Sequence, residues 1–259
     1  MSDDLQVSRD GAVLAVTFNR PQRHNAMTYE MYDGLHAACE TADSDDGIKV
    51  LVLRGAGGRA FVSGTDIASF RSFVSGDDGI AYERRITRVV NRLEEVSVPT
   101  VAVVQGYCVG GGLAIAAVCD LRIATRSSRF GMPIARTLGN CLSMNNVSIL
   151  VTHLGPARTL DLVLRAKMLD ADAAHAAGFV AELCADDELE GTLATALTTL
   201  QAHAPLTMWA AKTAVARLRR ANLPAADDLV SRVYGSDDFR RAVAAFGSDS
   251  RDKTEWTGK

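Results

Sequence analysis

The 259-residue sequence predicts an α/β fold with a helical C-terminal appendage. Three observations carry this. Short apolar runs alternate with helix-period segments over roughly the first 200 residues, the pattern of strands exchanged with helices. Two of those runs, Ile48–Leu53 and Thr100–Val104, are apolar apart from Lys49 and Thr100. Strands of that kind are buried on both faces, as in a parallel sheet. From residue 205 to the end no strand-like run occurs.

Each element follows in order. Leu5-Gln6-Val7-Ser8 and Val13–Phe18 flank Asp10-Gly11 and read as a hairpin. Asn19-Arg20-Pro21 breaks the run, and Thr28 caps a helix to about Thr41, with Met31, Leu35 and Ala38 at helical spacing. The strand Ile48–Leu53 ends at Gly55-Ala56-Gly57-Gly58, and a loop runs from Arg59 to Phe73. A mostly polar helix covers about Asp78–Val96, its apolar face formed by Ile80, Ile86, Val89, Val90 and Leu93. Pro99 leads into the strand Thr100–Val104. Gly110-Gly111-Gly112 opens a small-residue helix over Leu113–Cys119, and Leu121–Ala124 is a further strand. From Ser143 the chain is helical, except for a last strand at Phe179–Leu183. Helices at Pro205–Arg220, Pro224–Tyr234 and Asp237–Phe246 close the sequence.

Composition narrows the function classes. With 23% charged and 47% AVILMFWYC residues, the chain is not collagen-like, disordered or a coiled coil. The runs Val98–Val104 and Leu113–Val118 fall short of a membrane span. The acidic start, Met1-Ser2-Asp3-Asp4, shows no signal-peptide pattern, so a cytoplasmic protein with no membrane partner is expected. The net charge of −3 argues against nucleic acid. Residues 201–259 hold ten Lys/Arg and seven Asp/Glu, a local +3 that suits an anionic ligand or an acidic neighbour. Five scattered cysteines without CxxC, and five histidines without HxH or HExxH, predict reduced thiols, no metal and no cofactor.

Two segments carry candidate chemistry. At Gly106–Gly112 a buried strand runs into a glycine triplet that opens a helix. Free N–H groups and the helix dipole there favour a phosphate or a developing oxyanion. No Gly-Lys-Ser/Thr or GxGxxG pattern is present. The bend Arg59–Ile67 could expose a second set of N–H groups, so the two together could supply a pair of donors to one carbonyl.

Ordered motifs along nearly the whole chain resemble the crotonase (enoyl-CoA hydratase/isomerase) superfamily. They are Asn19-Arg20-Pro21-Gln22-Arg23-His24-Asn25-Ala26-Met27, Ala60-Phe61-x-x-Gly64-x-Asp66-Ile67, Pro99 to Gly112, Cys119 to Ala124, and Phe130-Gly131-Met132-Pro133. Gly178-Phe179-Val180, Ala245-Phe246 and Trp256 extend the likeness. The resemblance implies a spiral of β-β-α units over residues 1–200, holding an acyl-CoA site. It implies a helical oligomerisation region over 201–259, giving a homotrimer or a dimer of trimers. It places the two oxyanion donors at the Thr65 and Gly111 N–H groups. CoA contacts fall on Arg23, His24, Ala60, Phe61, Ser63, Asp66 and Ile67, with Phe246 and Lys253 from the terminal segment. CoA enters as part of the substrate.

The sequence departs from the hydratase pattern where acids are needed. The two family glutamate positions hold Ala114 and Ile134. Neither can activate water or deliver a proton. Residues 96–169 contain only Asp120 and Asp161. A family dehalogenase aspartate would fall at Ser143, which excludes that chemistry. Arg136 is a candidate for holding a substrate carboxylate or an enolate, and Cys141 reads as an inert thiol. Asp66 and Glu83 remain as possible bases, Asp66 read as structural and Glu83 as solvated. The expected activity is enolate chemistry on an acyl-CoA thioester, of lyase or isomerase type, with weak hydration of crotonyl-CoA. The alternative is a catalytically silent acyl-CoA binding protein.

Overall fold

The computed structural model describes residues 3–246 and 256–258. Its elements fall into four successive β-β-α units. The first comprises β1 (Leu5–Asp10), β2 (Val13–Phe18) and α1 (Tyr29–Ser44). The second is β3 (Val50–Gly55), β4 (Ala60–Val62) and α2 (Gly76–Glu95), and the third is β5 (Thr100–Val104), β6 (Tyr107–Val109) and α3 (Gly111–Val118). The fourth has β7 (Leu121–Thr125) and β8 (Arg129–Gly131), followed by the short α4 (Ile134–Thr137) and the long α5 (Met144–Leu164). Then come β9 (Leu169–Asp170), α6 (Ala171–Ala176), β10 (Glu182–Cys184), α7 (Leu189–Ala202), α8 (Pro205–Arg220), α9 (Asp227–Tyr234) and α10 (Asp237–Ala245).

The strands form two sheets. The larger has the order β1-β2-β3-β5-β7-β10, parallel throughout except for the β1–β2 hairpin. The smaller has the order β4-β6-β8-β9. From the second unit onward, each unit places its first strand in the larger sheet and its second in the smaller. That regular advance is the spiral the sequence predicts. The four strands of the smaller sheet have only two or three residues each. Such lengths carry no periodic signal, which is why β4 falls within a segment predicted as loop.

The first helix matches its predicted cap, with the Thr28 side chain accepting from the Met31 N–H. The core lies between the sheets and helices, around Phe18, Met27, Phe61, Phe130 and Phe179, all without appreciable exposure. Helix α5 is long and apolar enough to cross a membrane by length and composition. Its Ile149, Leu150, Leu154 and Leu162 are core residues, however, and non-helical Gly155 before Pro156 breaks it in two.

The last helices pack in two different ways. Of the three, only α8 stands largely exposed. Three of its cations meet acidic neighbours. Lys212 pairs with Asp120 at 2.6 Å, and Arg219 and Arg220 both bond Glu94. Helices α9 and α10 instead return to the main core, where Val230, Tyr234, Phe239 and Val243 are buried. The aromatic rings of Phe70, Phe73, Tyr82, Tyr234 and Phe239 pack edge-on and tilted there, locking α9 and α10 against α2 and the loop before it.

Candidate active site

The smaller sheet brings the two candidate bends together. β4 and β6 are parallel neighbours, with Ala60 opposite Tyr107 and Val62 opposite Cys108. Residues just past their ends therefore emerge side by side. Gly64 at φ +111° and Gly110 at φ +58° adopt backbone that disfavours side chains, and both turns depend on it. A Cβ on Gly111 would lie 3.8 Å from the Thr65 nitrogen, and one on Gly64 would lie 3.9 Å from the Gly111 nitrogen.

Both amides are available. Met27 donates to the Gly64 carbonyl and accepts from the Asp66 N–H, each at 2.8 Å, so the intervening Thr65 N–H faces away from Met27. Gly111 opens α3, where the first N–H groups of a helix have no internal acceptor. Neither N–H finds an acceptor among the described residues. Helix α3 is fixed at its far end by buried Arg122. Its guanidinium bonds the Phe179 carbonyl and those of Ala116, Ala117 and Cys119, a cation placed where the helix dipole favours one. At the near end the Thr65 hydroxyl lies 2.8 Å from the Tyr32 hydroxyl and 2.7 Å from that of Tyr82. Burial raises both phenols, which keeps them protonated at neutral pH.

Beside these amides lies a cavity of about 190 Å³. Ser63, Thr65, Gly111, Ala114 and Ile134 line it, and so does Glu83. The sequence placed Glu83 in solvent, yet its residue exposure is 5%. One carboxylate oxygen accepts from the Ser143 N–H at 3.0 Å, and the other from the Tyr234 hydroxyl at 2.8 Å. No salt bridge reaches it among the described residues. Burial pushes the carboxyl above its usual range, and the bonds from Tyr234 and Ser143 oppose that rise. A buried carboxyl whose proton affinity is raised in this way is suited to exchanging a proton. Ala114 and Ile134 contribute only apolar surface to the same walls. A signal for Glu83 did exist. It sits three residues after Ile80 and three before Ile86, on the predicted apolar stripe of its helix.

The other predicted residues divide. Ser63, Ile67 and Phe246 line the cavity. Arg23 is exposed and forms no ion pair among the described residues. Half-buried His24 adopts a left-handed backbone, accepts the Ser63 N–H at its carbonyl, and stacks its ring on Tyr107 at 6.5 Å. Ala60 and Phe61 are core residues, with Phe61 edge-on to Phe18, and neither lines the cavity. Asp66 is occupied by Arg20 at 2.9 Å and by the Ala68 N–H, which makes it a structural carboxylate. Arg136 is exposed on α4 and does not line the cavity. Burial, with Glu83 nearby, pushes the Cys141 thiol up to about 12, as suits an inert thiol. Lys253 lies outside the described residues. No cluster of three His, Cys, Asp or Glu able to hold a metal occurs among the described residues.

Comparison with known proteins points the same way. The family profile described as Enoyl-CoA hydratase/isomerase matches residues 8–258. A Mycobacterium tuberculosis protein described as "Probable enoyl-CoA hydratase echA8" is 31% identical over 249 residues, covering 94% of this chain and 95% of its own. The 1,2-epoxyphenylacetyl-CoA isomerase of Escherichia coli is 30% identical over 254 residues, with 95% of each chain covered. The crystal structure of an enoyl-CoA hydratase/carnithine racemase from Magnetospirillum magneticum superposes with a TM-score of 0.81 at 32% identity, covering 100% of this chain and 97% of that one. With the spiral of β-β-α units, the paired amides and a match along almost its full length, the chain belongs to the enoyl-CoA hydratase/isomerase family of the crotonase superfamily.

Proposed function

We propose that this protein moves a proton on an acyl-CoA thioester through an enolate, an isomerase-type reaction in which Glu83 is the acid/base. The observation that carries the reading is the placement of Glu83 in the same cavity as the Thr65 and Gly111 amides. The thioester oxygen accepts from those two N–H groups. Charge that develops there as the α-proton leaves is stabilised by donors already in place. Glu83 takes the proton from one carbon and returns it to another, so a single carboxyl closes the cycle. Hydration needs one group to activate water and another to protonate carbon. Ala114 and Ile134 supply neither, so slow hydration of crotonyl-CoA is expected. Arg23 and the His24–Tyr107 stack offer a cation and an aromatic face for the phosphates and adenine of CoA. The proposal includes self-association through α8, as a trimer or a dimer of trimers.

Incubation of a saturated acyl-CoA in deuterium oxide tests the reaction whatever acyl group the protein prefers. Wild-type protein should exchange the α-hydrogen, and should convert a 3-enoyl-CoA to its 2-enoyl isomer. Glu83→Gln should slow both by about 10²–10⁴-fold while leaving the dissociation constant for the acyl-CoA nearly unchanged. Full exchange by Glu83→Gln would overturn the assignment of the base. Tight binding with no exchange by wild-type protein would overturn the enzymatic reading in favour of a silent acyl-CoA carrier.

A further inference from the structure

Helix α9 reaches Glu83, behind the cavity wall, through one side chain. The Tyr234 hydroxyl lies 2.8 Å from a Glu83 oxygen and 3.2 Å from the Asn140 side-chain nitrogen. An amide nitrogen only donates, so Tyr234 accepts from Asn140 and gives its own proton to the bond with Glu83. Asn140 is itself part of the cavity wall. The result is a directed chain, Asn140 to Tyr234 to Glu83. Its middle member comes from a segment 151 residues away in sequence from the carboxylate it serves.

We infer that Tyr234 is a positioning residue for Glu83, holding the carboxylate in one rotamer and setting the pH at which it becomes a base. This rests on the proposed role of Glu83 and deepens it. The phenol ring is immobile, packed against Phe70, Phe73, Tyr82 and Phe239, so the direction of the bond is fixed by the core. The second carboxylate oxygen is held by the Ser143 N–H, on the segment leading into α5. The carboxylate is thus clamped between two elements while it rides on a third. The titratable groups facing it are Tyr82 and Tyr32 on one side and Cys141 and Tyr234 on the other. All four are neutral at physiological pH. With no ion pair to it among the described residues, hydrogen bonds favour the charged carboxylate against burial, that from Tyr234 foremost, then those from Ser143 and Asn146. Removing a donor to a charged form raises the pH at which that form appears.

The test is a pair of pH measurements on Tyr234→Phe and on protein carrying fluorotyrosine at position 234. The first is the pH profile of α-hydrogen exchange. The second, independent of activity, is the NMR titration of the Glu83 carboxyl in protein labelled with ¹³C-glutamate. Tyr234→Phe keeps the ring and loses the donor, so both midpoints should move up by about one pH unit, a tenfold change in proton activity. Fluorotyrosine is a stronger donor of nearly the same shape, and should move both midpoints down. A purely structural ring would leave both midpoints in place, and unchanged midpoints in either variant overturn the inference. Failure of the underlying reading appears differently. There the NMR midpoint responds to both variants while Glu83→Gln still exchanges at the wild-type rate.

Discussion

At the scale of single residues, the protonation of Glu83 couples the site to stability. Its folded carboxyl is raised above the unfolded value, chiefly by burial. Below the ordinary carboxyl range both states are protonated and Glu83 adds no pH dependence. As pH rises from that range through the raised folded value, the unfolded chain ionises first, and stability is lost. Each unit of elevation corresponds to about 1.4 kcal/mol. Glu83→Gln keeps the shape: its oxygen accepts from Ser143, its amide donates to Tyr234, and the Tyr234 hydroxyl turns to the Cys141 carbonyl at 3.4 Å. The variant should therefore melt above wild-type protein at pH 7 by about 2–4 °C per kcal/mol recovered, with the gap closing toward pH 4. Equal melting temperatures at both pH values would show that Glu83 is not strained by burial. This residue also marks the limit of what the sequence disclosed. Thr65 and Gly111 could be placed because the crotonase resemblance carries its two backbone donors onto these positions. A lone glutamate in a polar helix looks solvated until α9 and the Ser143 segment are seen to close over it.

At the scale of elements, the first five strands of the larger sheet were readable, because each has its own period or apolar run, whereas three-residue β10 starts at Glu182, beyond the Phe179 start expected for it. The smaller sheet was not, because strands of two or three residues exist only through their neighbours. The packing of α9 on α2 was equally hidden. It depends on close approach at Gly79, where an added Cβ would lie 2.3 Å from the Tyr234 side chain. Gly79→Ala should gain up to about 1 kcal/mol of helix propensity. It should lose about 1–3 kcal/mol to overpacking, because Tyr234 is hemmed in by four other rings. A net fall of several degrees in melting temperature is expected, together with an upward move of the exchange midpoint as Tyr234 is pushed off Glu83. If the variant melts at or above the wild-type temperature with an unchanged midpoint, α9 is less tightly held than its contacts imply.

At the scale of the whole molecule, the three terminal helices do different work. Helices α9 and α10 complete this chain's own site, and α8 is left over. Among the described residues its polar ties lie at points along its length, by Lys212 to Asp120 and the Val98 carbonyl, and by Arg219 and Arg220 to Glu94, Glu95, Asn91 and Asn145. Between and beyond those ties Leu206 is 77% exposed and Leu218 79%, with Trp209 and Val215 also open. The second half of α5 leaves Leu160 and Leu164 exposed as well. A 16-residue helix stays folded chiefly by burying an apolar face, and α8 buries little of its own. Aspartate at one of these sites costs less than about 1 kcal/mol of helix propensity if the side chain faces water. At a covered site it leaves an uncompensated buried charge, which is strongly destabilising to the contact. On the proposed trimer or dimer of trimers, wild-type protein at micromolar concentration should sediment at three or six times its 27.6 kDa mass. The double variant Leu206→Asp, Leu218→Asp should shift toward the single-chain mass while keeping its helical content, because neither side chain is part of the monomer core. A wild-type protein that sediments as a single chain would overturn the assembly. So would a double variant of unchanged mass, unless other residues of α8 carry the contact, which Trp209→Asp and Val215→Asp would then reveal.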